Sequence, residues 1–251
     1  MISIEDLKKI AKLKGLKNIG YAEKDYIIEI ILLSISRNTK DELVFKGGTC
    51  LNKFYKIDRF SEDLDFTLKK GLNTDALIKK IITDLILFGV ESEIKNRKKI
   101  LDSLMITIRT KGPLYRGTSQ SLSSIRIDIN LRSSVDTDPM VVKYTSLYSD
   151  IPSFSLFIMQ EKEILAEKIR AIMTRTKARD VYDLWFLLKK GVVFDKDLAN
   201  KKLKFYNKTF DKKLLISNIK VIGNVWNSEL KPLVNFIPDF KTVFKQIQEC
   251  I

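Results

Sequence analysis

The hydrophobic pattern of this chain changes period twice. Ser3, followed three residues later by Asp6, resembles a capping box and opens a short amphipathic helix through about Leu13. Ile27, Ile28, Ile31 and Leu32 form the apolar stripe of a second helix from about Ala22 to Arg37. The period then shortens. Leu43–Lys46 reads as a strand ending in Gly47-Gly48, and Thr49–Tyr55 as the opening of a helix. Leu64–Leu68 is predicted to be a strand and Asn73 to about Phe88 an amphipathic helix. Strand-like runs at Ser103–Arg109, Ser124–Leu131, Val141–Thr145 and Phe154–Met159 follow with no helices between them, which predicts antiparallel neighbours in a mixed sheet. From Glu161 onward the pattern is helical almost to the end. The expectation is an α/β (α+β) fold: residues 1–160 form a mixed β-sheet flanked by helices, and residues 161–251 a helical C-terminal domain.

Composition narrows the chemistry. The 251 residues contain no histidine, which removes His-based triads, His general bases and His-ligated metals. Catalysis must run on carboxylates, Lys, Ser/Thr or a metal held by oxygen, and oxygen ligands favour Mg²⁺ over Zn²⁺. Cys50 and Cys250 are the only cysteines and lack metal-type spacing, so a reduced, cytoplasmic compartment is expected. No stretch approaches the roughly 20 apolar residues of a membrane span, and no membrane partner is expected. The net charge of +14 suggests a polyanionic partner. Residues 189–220 hold ten lysines against three aspartates, a local excess of +7. A solvated helix surface explains that excess as well as a binding face does.

The chemistry concentrates in Phe45–Phe66. Gly47-Gly48-Thr49 sits where a strand turns into a helix, and free backbone N–H groups there suit an anion. Asp63 and Asp65 alternate with Leu64 and Phe66, so both carboxylates share one strand face. Two adjacent carboxylates repel each other and invite a divalent cation. In the later strand Ile125, Ile127, Ile129 and Leu131 take one face, leaving Asp128 on the other between Arg126 and Asn130. If the two strands are neighbours, three carboxylates converge, and such a set can hold Mg²⁺ for in-line phosphoryl displacement. Further on, Leu165, Ile169, Ile172 and Met173 form a buried stripe with Lys168 on its flank, and Asp180 and Asp183 share a face of the next helix. These acids are candidates to orient Lys168, to bind ribose or base, or to position an acceptor.

Two blocks in order carry a family resemblance. Gly47-Gly48-Thr49-x-Leu51 with Arg59-Phe60-Ser61-Glu62-Asp63-Leu64-Asp65-Phe66 is similar to the signature of the AbiEii/AbiGii-type nucleotidyltransferases, of the DNA polymerase β-like superfamily. Glu161-x-x-Ile164-Leu165-Ala166-Glu167-Lys168-Ile169-Arg170-Ala171, then Arg175 and Arg179-Asp180-Val181-Tyr182-Asp183-Leu184, resembles the family's Lys-containing helix and its Arg-Asp-x-x-Asp-Leu motif.

The resemblance implies a nucleotidyltransferase core and a toxin of a toxin–antitoxin or abortive-infection system. Such an enzyme moves a nucleoside monophosphate from an NTP to an acceptor, with tRNA as acceptor in some relatives and an antitoxin as partner. Asp63, Asp65 and Asp128 are then the expected Mg²⁺ ligands and, with Lys168, the catalytic set. Lys46, Gly47, Gly48, Thr49, Ser61, Lys168, Asp180 and Asp183 are the expected nucleotide contacts, and the basic C-terminal half suits an RNA acceptor. The alternatives are transfer to a protein or small molecule, or an inactive module that binds nucleotide or RNA.

Overall fold

Ser3 and Asn18 each cap a helix through a side-chain oxygen, which opens α1 (Ile4–Leu13) and α2 (Ile19–Asn38). The first is amphipathic, whereas α2 is buried on nearly every side from Ala22 to Ile35. The computed structural model describes residues 1–69, 71–100, 102–131 and 134–251. They divide into two compact units.

The first unit comprises Met1–Phe54, Phe60–Ser134 and Pro139–Ile158. Its described residues build a seven-stranded mixed sheet from β1 (Leu43–Lys46), β2 (Asp63–Leu68), β3 (Glu91–Ile100), β4 (Ser103–Lys111), β5 (Ser123–Asn130), β6 (Met140–Tyr144) and β7 (Phe154–Ile158). The spatial order is β3-β4-β5-β2-β1-β7-β6. Pairs β2/β5 and β1/β7 are parallel and the others antiparallel. Strands β4 and β5 alternate strictly between buried and half-exposed residues, so one face meets the core and the other is open. Of the four consecutive runs from Ser103 to Ile158, β4/β5 and β6/β7 are antiparallel neighbours as the pattern predicts, but β5 and β6 are not neighbours, because β5 lies beside β2 in parallel.

Strand β3 has no counterpart in the hydrophobic pattern. Its sequence ESEIKNRKKI lacks an apolar alternation because it lies at the sheet edge with nearly every residue exposed. Helix α4 (Thr74–Leu87), capped by Asn73, lays Leu77, Ile78, Ile81 and Leu85 into the core.

Helix α3 (Gly47–Tyr55) follows β1 directly. A buried polar network fixes it to α2. Lys53 on α3 donates to Asp25 Oδ1 at 2.5 Å and Glu29 Oε1 at 2.6 Å, while Lys14 reaches Asp25 Oδ2 at 2.5 Å and the same Glu29 oxygen at 2.6 Å. The Tyr144 hydroxyl donates to Glu29 at 2.6 Å and that of Tyr148 to Asp25 at 3.0 Å. Burial penalises the charged form of Asp25, but Lys53 and Lys14 outweigh it and pull its carboxyl down to about 2. Every member is partnered, as a buried charge requires.

The second unit comprises Tyr55–Arg59, Val135–Asp138 and Met159–Ile251. It contains α5 (Glu161–Thr174), α6 (Ala178–Lys189), α7 (Lys196–Lys204), α8 (Lys212–Ile222), α9 (Trp226–Leu230) and α10 (Phe240–Cys250). Asp195, Asp211 and Asp239 cap three of these helices. The fully buried Glu163 accepts from the backbone N–H groups of Asp136 and Thr137 and from Lys202 Nζ, which ties the 135–138 segment and α7 to α5. Among the described residues no helix is long and apolar enough to cross a membrane.

Candidate active site

Register brings the first set of acids together. Asp65 is the Cα partner of Asp128 across the parallel β2/β5 pair, and Asp63 is the partner of Arg126. Lys46 lies opposite Asp65 on β1, and Met105 opposite Asp128 on β4. Directly paired residues share a sheet face, so Asp63, Asp65 and Asp128 all occupy the open face. All three are half-buried.

The turn into α3 is pressed against this face. Gly47 has φ +75°, a left-handed conformation that glycine adopts without strain. A Cβ at Gly47 would collide with Asp65 Oδ2 and lie 3.0 Å from Asp65 Cβ. Glycine is therefore required twice, for its backbone angle and for the closeness of the carboxylate. Thr49 is fully buried, and its hydroxyl donates to the Asp63 carbonyl oxygen at 2.5 Å and lies 2.9 Å from Ser61 Oγ. The helix start and the first acidic residue are thus locked to each other. Lys46 is buried, with its backbone beside Asp65.

The carboxylates have polar partners at hand. Arg126 Nη2 stands 2.5 Å from Asp63 Oδ2, and the Ser103 hydroxyl donates to Asp128 Oδ1. Among the described residues no three acidic or sulfur side chains close around one point as a metal cage. The donor set still suits a hard divalent cation: it is all carboxylate oxygen, on one face, with Arg126 exposed enough to be exchanged.

The second set lies in the helical unit and is buried. Lys168 on α5 donates to Asp180 Oδ1 at 2.9 Å and pairs with Asp183 Oδ2 at 2.7 Å. Arg59 grips Asp183 with two nitrogens, Nε to Oδ1 at 2.5 Å and Nη2 to Oδ2 at 2.7 Å. Arg175 does the same to Asp180 at 2.9 and 3.1 Å. Asp180 and Asp183 are fully buried, and Lys168 is only 7% exposed. Lys168 therefore does not stand on a solvated flank of α5: the following helix closes over it.

Burial disfavours every charge in this cluster, yet the pairings win. Lys168 is held above the ordinary lysine range by Asp180 and Asp183, and Arg59 above its own by Asp183. The carboxyl of Asp180 is held well below the usual range by Lys168 and Arg175, and that of Asp183 by Arg59 and Lys168. These pairings thus favour the charged form of Lys168. Arg59 was absent from the candidate residues. Its signal was its place ahead of Phe60-Ser61, but the partner lies 124 positions on, beyond the reach of local spacing.

The sequence matches the family model for the AbiEii nucleotidyl transferase toxin of type IV toxin–antitoxin systems over residues 31–246. The chain belongs to this family. AbiEii membership makes it a nucleotidyltransferase, with an NTP as substrate, and a type IV system implies an antitoxin partner. The fold agrees. JHP933 from Helicobacter pylori superimposes with a TM-score of 0.62 over 94% of this chain and 91% of that one, at 23% identity. MenT4, a nucleotidyltransferase toxin from Mycobacterium tuberculosis H37Rv, gives 0.61 over 97% of this chain and 87% of its own, at 18% identity. At such identities the likeness is one of fold. No curated protein matches the sequence significantly.

Proposed function

We propose that this AbiEii chain transfers the nucleoside monophosphate of an NTP to an RNA acceptor such as tRNA, with Mg²⁺ held by Asp63, Asp65 and Asp128. The observation that supports this most is the register of β2 and β5, with Asp65 opposite Asp128, Asp63 two residues along, and the Gly47 turn packed onto Asp65. When bound there, Mg²⁺ supplies positive charge to the triphosphate and to the attacking oxygen.

The chain's own groups do the rest. Backbone N–H groups at Gly47, Gly48 and Thr49 offer a phosphate cradle, because only glycine lets an anion approach the main chain at that turn. Ser61 and Thr49 hold the cradle to β2, and Lys46 adds a buried cation beside it. An acceptor hydroxyl attacks the α-phosphorus, the bond from that phosphorus to the bridging oxygen breaks, and pyrophosphate leaves. Asp128 takes the hydroxyl proton. Lys168 acts within its own unit, where Asp180 and Asp183 hold its ammonium in a buried cluster. A polynucleotide acceptor accords with the net charge of +14, and an NTP and an RNA as substrates accord with a cytoplasmic activity.

The test is pyrophosphate release from each NTP, with and without bulk tRNA. The expected result is release that needs both Mg²⁺ and RNA and vanishes in Asp63→Ala/Asp65→Ala. Release that is indifferent to RNA but stimulated by a protein or small molecule would move the acceptor to that class. NTP binding without turnover under any condition would make the chain a nucleotide-binding module.

A further inference from the structure

The sequence directs attention to the lysines of residues 189–220 as an RNA face, but several of them are already committed. Lys202 is buried between Asp136 and Glu163, at 2.7 and 2.5 Å. Lys190 pairs with Glu161 at 2.5 Å, Lys208 donates to the Met173 carbonyl at 2.9 Å, and Lys189 covers the Trp185 ring. The edge strand β3 behaves differently. Its Glu91 end is neutralised by β4, through Lys111 with Glu91 and Arg109 with Glu93. Its other end carries Lys95, Lys98 and Lys99, all exposed and without ion-pair partners among the described residues.

Register sets that basic end beside the carboxylates. Lys98 is the partner of Met105, Met105 of Asp128, and Asp128 of Asp65, in one line across four strands. Lys98 therefore shares the open face with the acids, and two strand spacings place it about 10 Å from Asp128. The next line runs Asn96, Thr107, Arg126 and Asp63, which adds hydrogen-bonding groups to the same face. A bulge between Ile94 and Asn96 leaves Lys95 as the extra residue. From Lys95 to Lys99 the strand extends about 13 Å, so its lysines line the sheet edge, with Lys98 on the open face and Lys99, the partner of buried Leu104, on the other. Strands β3, β4 and β5 contain no aromatic residue, so this face offers nothing for bases to stack on.

We infer that the basic end of β3, with the open face of β4 and β5, holds the sugar–phosphate backbone of the RNA acceptor. It presents the acceptor's reacting end to the carboxylates without reading its sequence. The inference deepens the proposed function and rests on it for the claim that the bound RNA is the acceptor. A lysine-rich edge also prevents strand-to-strand aggregation, and a charge of either sign serves that purpose. Only a positive charge serves a phosphate backbone.

The full chain would be titrated with bulk tRNA and, separately, with a uridine oligomer, across a salt series, beside NTP binding. In Lys95→Gln/Lys98→Gln/Lys99→Gln, the slope of log K against log salt is expected to fall by about two on both RNAs, each lost phosphate contact contributing roughly 0.7–0.9. NTP binding should be unchanged. The charge-reversed Lys→Glu triple keeps the edge guarded and should stay monomeric while losing at least as much RNA affinity, so it reads the proposal even if the Gln variant aggregates. Lys212→Gln/Lys213→Gln/Lys220→Gln is expected to keep the wild-type slope. An unaltered slope in the β3 variants, or an equal or larger fall in the α8 variant, would overturn the inference. Wild-type chain that turns over NTP but binds no RNA would overturn it too and would return the proposed acceptor to another class. Absence of NTP turnover with the β3-dependent slope intact would sink the transfer reading alone.

Discussion

The two charged clusters of this chain are opposites in how they treat their charges. In the sheet unit, Asp63, Asp65 and Asp128 are half-buried, stand on an open face and hold partners that include an exposed Arg126 and a serine hydroxyl. In the helical unit, Lys168, Asp180, Asp183 and Arg59 are buried and pair with one another and with Arg175. Like charges gathered at a surface are tolerable when a cation is due to join them; buried charges must already be complete. The first cluster is thus open to exchange with an arriving ligand, and the second is a set of buried charges already paired.

The largest effect should come from opening the sealed cluster. Asp183→Ala removes the bidentate partner of Arg59 and one of the two acids on Lys168, and should cost about 3–5 kcal/mol of stability by chemical denaturation. An effect under about 1 kcal/mol would mean that the cluster is more solvated than its burial implies, and the contrast would collapse.

The pH response should separate the clusters next. Asp180 and Asp183 have carboxyls lowered in the folded state, so their contribution is present above the unfolded value near 3.9 and is lost as pH falls through the folded ones. Lys168 is raised, so its contribution is full below the unfolded value near 10.4 and is lost only as pH rises beyond it. Stability from this cluster should therefore be flat from about pH 5 to 10 and fall in acid. Asp180→Asn should flatten the acid limb, which acid-unfolding curves would register. An acid limb identical to wild type would refute the pairing.

Gly47→Ala comes third. The positive φ and the collision with Asp65 Oδ2 predict a loss of about 1–3 kcal/mol, with weaker NTP binding because the turn must shift. Calorimetric unfolding and nucleotide titration on the same sample would check both halves. Asp63→Asn should be the mildest for stability, within about 0.5 kcal/mol or slightly stabilising through relief of carboxylate repulsion, while abolishing turnover. A loss comparable to that of Asp183→Ala would make Asp63 a structural acid and erase the distinction.

The sheet unit was largely legible in the sequence because its inner strands alternate. Ile125, Ile127 and Ile129 fix which face Asp128 takes, and Leu64 and Phe66 do the same for Asp63 and Asp65. That β2 and β5 are parallel neighbours was not legible, since register between distant strands is a tertiary fact. Strand β3 was invisible because an exposed edge imposes no apolar period. In the helical unit the spacing of Asp180 and Asp183 showed that they share a face, but not that Lys168 lies buried against it. The pairing of Asp25 with Lys14 and Lys53 is likewise tertiary, since nothing local in the sequence announces it.

Label partition tests the central claim most directly. The chain would be mixed with bulk tRNA, Mg²⁺ and each NTP in turn, labelled once at the α-phosphate and once at the γ-phosphate, beside Asp63→Ala/Asp65→Ala. The account predicts α-label on RNA, γ-label only in released pyrophosphate, and neither with the double variant. Transfer of γ-label, or α-label transfer that survives loss of both aspartates, would contradict it.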